Sequence, residues 1–315
     1  MSDSLLRTKP LEKILGQAAQ KEGGLKRVLG ALDLTAIGVG AIIGAGIFVL
    51  TGTAAKEAAG PGIMLSYVFA GIACILAAFC YTEFATRMPI SGSAYTYAYA
   101  TVGELFAWII GWDLILEYTI GASTVAVGWT HYLEQFLKAC GYELPKYLID
   151  IPVWAKTGPL APGEDPYHIH INIAAVLLIA VLTGILCKGV KESATFNAVM
   201  VVIKMVVVLL VIFVGAGYVQ PANWDPFMPF GWAGVIKGGA LVFFAYIGFD
   251  AVSTAAEEVK NPARDLPIGI IASLVICTLL YISVSGVITG MVPFSEIDSG
   301  APLAAAFGAV GVTWA

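Results

Sequence analysis

Apolar runs of membrane-crossing length alternate with short polar stretches along this chain. Crossing a bilayer takes about 20 consecutive apolar residues. Cutting at charged residues and loop signals gives eight such runs, near residues 34–55, 61–82, 105–132, 171–187, 193–217, 238–257, 267–290 and 303–315. In lipid a segment of this length satisfies its own backbone polar groups only as a helix, so each run is predicted to be one. The eighth meets Trp314-Ala315 with no flanking charge or cap, which reads as a chain that ends within helix 8.

Charge orients these helices, because lysine and arginine collect on the cytoplasmic side. With the N-terminus inside, eleven of the seventeen fall on inner segments and five on outer ones; Lys204 lies within the fifth run. Residues 1–32 are then a cytoplasmic N-terminal segment and 33–315 a transmembrane domain. The first 33 residues hold no apolar core or cleavage site of a signal peptide, so the first run is retained. The outer stretch "DIPVWAKTGPLAPGEDP", with Trp154, reads as an interfacial loop.

Composition agrees. The chain is 58% hydrophobic and 12% charged, with a mean hydropathy of +0.84; a soluble domain averages about 25% charged. The net charge of -5 leaves no basic face for nucleic acid. The five cysteines have no metal, haem or disulfide spacing, and four sit in apolar runs as packing residues. His131, His168 and His170 make no metal cluster, and no nucleophile has a base nearby in a recognisable pattern. No metal, no cofactor and no enzyme are read here.

One stretch inside the first run, "GVGAIIGAGIFVL" (Gly38–Leu50), carries Gly38, Gly40, Gly44 and Gly46. Each glycine costs a helix interior about 1 kcal/mol relative to alanine. A dinucleotide fingerprint would put its third glycine at Ile43, in a soluble strand–turn–helix, so that reading fails. Close helix packing explains a spacing of four, as at Gly40 and Gly44, but does not need Gly46 as well. A helix built to be broken gains from a counterpart. The sixth run, "GGALVFFAYIGFDAVSTAAEEV", has Gly248 mid-span and Asp250 two residues on. Asp250 is costly in an intact lipid-facing helix, by roughly 2.5–3.5 kcal/mol or more. It is favourable as the cap of a new half-helix. Interrupted helices in corresponding places of two halves point to an inverted-repeat transporter with a mid-membrane site. Half-helix N-termini suit a carboxylate and unwound carbonyls an ammonium, and an amino acid supplies both.

The stretches "GVGAIIGAGIF", "RMPISGSAYTYAYATVGELFAWIIGWDLILEYTIGAS" and "FFAYIGFDAVSTAAEEVKNPARDLPIGI" strongly resemble the amino acid–polyamine–organocation (APC) transporters, cationic amino acid transporter branch and bacterial permeases, from about residue 25 onward. The resemblance implies an all-α, LeuT-like inverted-repeat fold with helices 1 and 6 unwound at mid-membrane. It implies a substrate carboxylate on the amides of Gly44, Ala45 and Gly46, near Ile43. The α-ammonium then meets carbonyls of Ile42, Phe244 and Ile247, with Ala245 beside the site and Phe244 closing over it as a gate. Sodium-coupled relatives hold a cation between helices one, five and eight; proton-coupled members place a lysine ammonium there, which points to Lys204.

Lys204 lies too deep in its span to snorkel easily, so it is the first candidate for proton coupling. Asp113, Glu117, Gly121, Thr124 and Gly128 mark one small, polar face of the third span. Glu117 either carries a proton, pairs with Lys204 or lines the route. Asp250 either caps a half-helix or meets a proton or a cationic group. The function expected is import of L-amino acids with protons across the plasma membrane, the partners being substrate, protons and lipid, with any small membrane-protein partner unidentified. The alternatives are an amino acid/amine exchanger and a substrate-sensing receptor with the same pocket.

Overall fold

The computed structural model describes residues 6–12, 16, 27–145, 148–149, 171–188 and 190–312; the expectations for Trp154, His168, His170 and the Trp314-Ala315 end lie outside these. The chain before the first helix is pinned by a bridge in which Leu29 accepts from the Lys260 amide at 2.9 Å. Helix α1 (Ala31–Ile42) starts after Gly30, whose amide donates to the Asp33 carboxylate at 2.9 Å. That acidic group also suits the positive end of the helix.

Past a break, the chain continues through a π turn (Gly46–Leu50), α2 (Thr51–Ala54) and a second π turn (Ala55–Ala59). It turns at Gly60, Pro61 and Gly62 into α3 (Ile63–Arg87). Helix α4 (Ser93–Thr101) follows, and Gly103, at φ +124°, swings the chain into α5 (Glu104–Ala139). Next come α6 (Ile173–Lys188) and α7 (Val190–Gly215), then α8 (Gly231–Val242) and the short α9 (Ala251–Thr254). Helix α10 (Pro262–Met291) has Pro262 at its first position, where no amide partner is needed.

Among the described residues the fold is all helical, with no strand beyond an isolated bridge. Five helical stretches are long and apolar enough to cross a membrane: Gly46–Arg87, Glu104–Ala139, Ala198–Tyr218, Gly231–Thr254 and Pro262–Met291. The runs near 105–132, 193–217 and 267–290 match α5, α7 and α10. The 303–315 run differs. Its described part holds α11 (Pro302–Ala309), which closes in a turn at Gly311, φ +80°. Eight residues rise about 12 Å, well short of a bilayer core of about 30 Å. The helix packs instead near Gly52 and the Tyr132 end of α5.

The core is centred on α10, which packs along α3 and α1. Leu34, Ile270, Leu274, Cys277 and Tyr281 are wholly buried there. Cys74 and Cys277 are the two cysteines that act as packing residues; Cys80, Cys140 and Cys187 are exposed. The first two glycines of the quoted stretch also serve packing, with Gly38 against Ser273 of α10 and Gly40 against Val201 of α7.

Candidate functional site

Two helices are interrupted, and the interruptions meet. The first helix ends at Ile42, with a last helical bond from the Ile43 amide to the Val39 carbonyl at 3.0 Å; Ile43 itself is extended (φ -72°, ψ 98°) and helix resumes at Gly46. On the other side, α8 tightens into a 3-10 turn (Phe243–Tyr246), Ile247 is extended (φ -53°, ψ 135°), and Gly248 takes φ +108°. Only glycine adopts that last conformation without strain. A Cβ on Gly248 would lie 2.9 Å from the Ala41 carbonyl oxygen, and one on Gly46 would lie 2.4 Å from the Ala245 Cβ. Each break is thus packed on the other's backbone.

Breaking a helix frees carbonyls that an apolar interior leaves without water. Side chains from other helices take them up. The Lys204 ammonium of α7 donates to the Ile43 carbonyl at 2.8 Å and also to the Gly40 carbonyl. The Tyr281 hydroxyl of α10 donates to Ile42 O at 2.9 Å and Ala245 O at 2.7 Å. Gly46 O is different: it keeps the Thr51 amide as a helical donor and also lies 3.2 Å from the Thr51 hydroxyl and 3.3 Å from the Tyr67 hydroxyl. The Phe244 carbonyl accepts from the Ile247 amide at 3.3 Å.

The breaks form one wall of a cavity of about 940 Å³. Ile42, Gly44, Ala45, Gly46, Phe244, Ala245 and Ile247 line it, so it gathers the expected substrate contacts except Ile43. Ile43 is buried and faces Lys204 through its carbonyl. Phe244 is 63% exposed at this wall. The opposite wall is the polar face of α5, with Asp113, Glu117, Gly121 and Thr124. Gly128, on the same face, lies against Val49.

Of the alternatives open for Glu117 and Asp250, the structure shows neither the Lys204 pairing nor the helix cap. Lys204 is not part of the cavity lining and does not pair with Glu117; the carbonyls freed at the first break hold its ammonium, while Glu117 lines the cavity. Asp250 precedes α9 but makes no side-chain cap bond. Its carboxylate, in a buried residue, accepts from the Ser93 hydroxyl at 3.1 Å and the Tyr118 hydroxyl at 3.0 Å. A buried carboxylate gains more from two hydroxyl donors than from a short helix end. Ser93 holds this contact at φ +48°, a region non-glycine residues rarely adopt.

Ser93, Tyr118, Tyr67 and Tyr281 are not singled out by the sequence pattern. A signal exists for the tyrosines: a phenol buried in an apolar run needs a partner for its hydroxyl.

The family model for amino acid permeases matches residues 29–315. The chain is 51% identical over 308 residues to the methylthioribose transporter of Bacillus subtilis (strain 168), covering 98% of this chain and 64% of that protein. It is 52% identical over 297 residues to the branched-chain amino acid permease BcaP of the same organism, covering 94% and 61%. It is 45% identical over 313 residues to the chloroplastic cationic amino acid transporter 9 of Arabidopsis thaliana, covering 98% and 54%. The chain therefore spans less than two thirds of each of these relatives. Identity at this level along nearly the whole chain, together with the all-helical, apolar architecture, places it in the amino acid permease family, in the cationic amino acid transporter branch of the APC superfamily of multi-pass membrane transporters.

Proposed function

We propose that this chain forms the substrate-binding part of a secondary transporter that imports L-amino acids across the plasma membrane by alternating access, coupled to protons through Lys204. The observation that carries the reading is the meeting of two helix breaks at one cavity wall. Such interruptions at matching places suit the two halves of a LeuT-like inverted repeat. The amides of Gly44, Ala45 and Gly46 receive the carboxylate at the start of a half-helix. The ammonium meets the carbonyls of Ile42, Phe244 and Ile247, and Phe244 closes over it. Residues 1–32 face the cytoplasm and 33–315 form the transport domain, as the lysine and arginine distribution supports.

Lys204 ties α7 to the first break. Protonated, it holds that tie; neutral, it releases the unwound segment and frees the inward-opening motion. Glu117 and Asp250 are the secondary proton sites, because both face the cavity. Two relatives are named for amino acids and one for methylthioribose, a sugar thioether with neither ammonium nor carboxylate. The break geometry favours the amino acid.

The test is uptake by the full-length protein in proteoliposomes, across a panel of labelled amino acids and methylthioribose, under an imposed proton gradient. Concentrative uptake of an amino acid into empty vesicles supports the reading. Uptake only against internal amino acid makes the protein an exchanger, binding without flux makes it a sensor, and uptake of methylthioribose alone overturns the substrate class.

A further inference from the structure

Tyr281 has a position that the transport reading does not use. It sits in α10, away from either break in sequence, and is wholly buried. Its ring packs against Tyr67 and Tyr246, with centroids 5.1 and 5.3 Å away. These neighbours fix the ring, so the hydroxyl is aimed by the core. It reaches one carbonyl from each break, Ile42 O and Ala245 O. Both residues line the cavity.

A phenol has one proton to donate. Two carbonyls share it here, so each keeps acceptor capacity for a further donor. A cation entering the cavity can take the second lone pair of either carbonyl while the hydroxyl stays shared between the two. The two unwound segments are thereby held at a fixed separation, and their oxygens stay aimed at the ligand. Neither break could secure this alone, because residues 43 and 247 are extended and end their helical stretches.

We propose that Tyr281 is a positioning residue: its hydroxyl holds the Ile42 and Ala245 carbonyls, one from each break, in the register that an ammonium-bearing substrate needs. This rests on the amino acid reading for the identity of the ligand, but the clamp itself does not.

Tyr67 supplies an internal control. It is equally buried in the same aromatic cluster, and its hydroxyl also reaches a carbonyl beside the first break, Gly46 O. The Thr51 amide donates to that same carbonyl, so Tyr67→Phe leaves it paired. Tyr281→Phe leaves two carbonyls without this donor.

The experiment compares full-length wild type, Tyr281→Phe and Tyr67→Phe by amide hydrogen exchange and by equilibrium binding of the amino acid that wild type transports. Tyr281→Phe is expected to speed exchange about tenfold at residues 43–46 and 245–248, leave α5 and α7 as in wild type, and weaken binding about tenfold. Tyr67→Phe is expected to change neither by more than about twofold. Unchanged exchange at both breaks in Tyr281→Phe overturns the proposal, as does equal loosening in the two variants, which marks a general core defect. If wild type binds no amino acid, the transport reading fails and the exchange comparison still decides the clamp. If Tyr281→Phe does not fold, Tyr281→4-aminophenylalanine restores a donor. Wild-type exchange at both breaks supports the clamp, and loosened breaks in that folded variant overturn it.

Discussion

Gly46 lies so close to Ala245 that an added Cβ would come within 2.4 Å of the alanine Cβ and 2.5 Å of its Cα. Gly44, two residues earlier, has only Val125 nearby, at 3.7 Å. The two glycines therefore fail differently. Gly46→Ala overpacks the contact between the breaks and should lower stability by about 1–3 kcal/mol. Gly44→Ala fits the space but intrudes on the cavity wall, so it should weaken substrate binding with little change in stability. Thermal melts in detergent, paired with binding isotherms, separate the two. A Gly46→Ala protein as stable as wild type would contradict the close approach.

Lys204→Met keeps the side-chain volume and removes the ammonium. The Gly40 and Ile43 carbonyls lose a donor, which should cost roughly 1–3 kcal/mol of stability. Substrate binding should survive in part, since Lys204 is not in the cavity lining. Uptake should lose its dependence on external acidity and become equilibrative. Concentration of substrate under an imposed proton gradient by this variant would make Lys204 structural and shift attention to Glu117 and Asp250.

Asp250 draws on two hydroxyls from separate helices, Ser93 of α4 and Tyr118 of α5. Ser93→Ala and Tyr118→Phe should each destabilise by about 1–3 kcal/mol, because each strips a hydrogen bond from a buried acceptor. Sharing one partner, they should be non-additive in a double-mutant cycle, with a coupling of at least about 0.5 kcal/mol. Strict additivity would show that the carboxylate does not link the two helices.

Phe244 stands at the cavity wall with most of its ring exposed. If it closes over the substrate, Phe244→Ala should lower the maximal uptake rate several-fold and change equilibrium binding less, because backbone groups make the primary contacts. Wild-type uptake rates would remove the gate assignment.

The linear pattern of apolar runs was enough to determine the helical class, the spans of α5, α7 and α10, and the two places where helices are interrupted. These are local properties. Hydrophobic length and the glycines of "GAG" and "YIGFD" act through the backbone of their own segment, so they can be read without knowing what lies opposite. The short α11 was not legible in the same way. Its alanine-rich stretch is apolar enough to imitate a crossing. Nothing in that pattern marks Gly311, among several glycines nearby, as the one whose left-handed backbone ends the helix.

What only the tertiary structure decided is which partner each polar group finds. The sequence leaves Asp250 open between a helix cap and a contact with a proton or a cationic group; in the fold its carboxylate goes to Ser93 and Tyr118, from 157 and 132 positions away. The sequence leaves Glu117 open between carrying a proton, pairing with Lys204 and lining the route; in the fold, α1 and its break offer the lysine two freed carbonyls and Glu117 faces the cavity. Tyr281 is one phenol among thirteen tyrosines in the sequence, and it becomes distinctive only because both breaks present a carbonyl to it. Where a helix breaks is set by its own residues. Which distant side chain satisfies the freed oxygens is set by how the helices pack, and a linear pattern of apolar and polar positions carries no record of that.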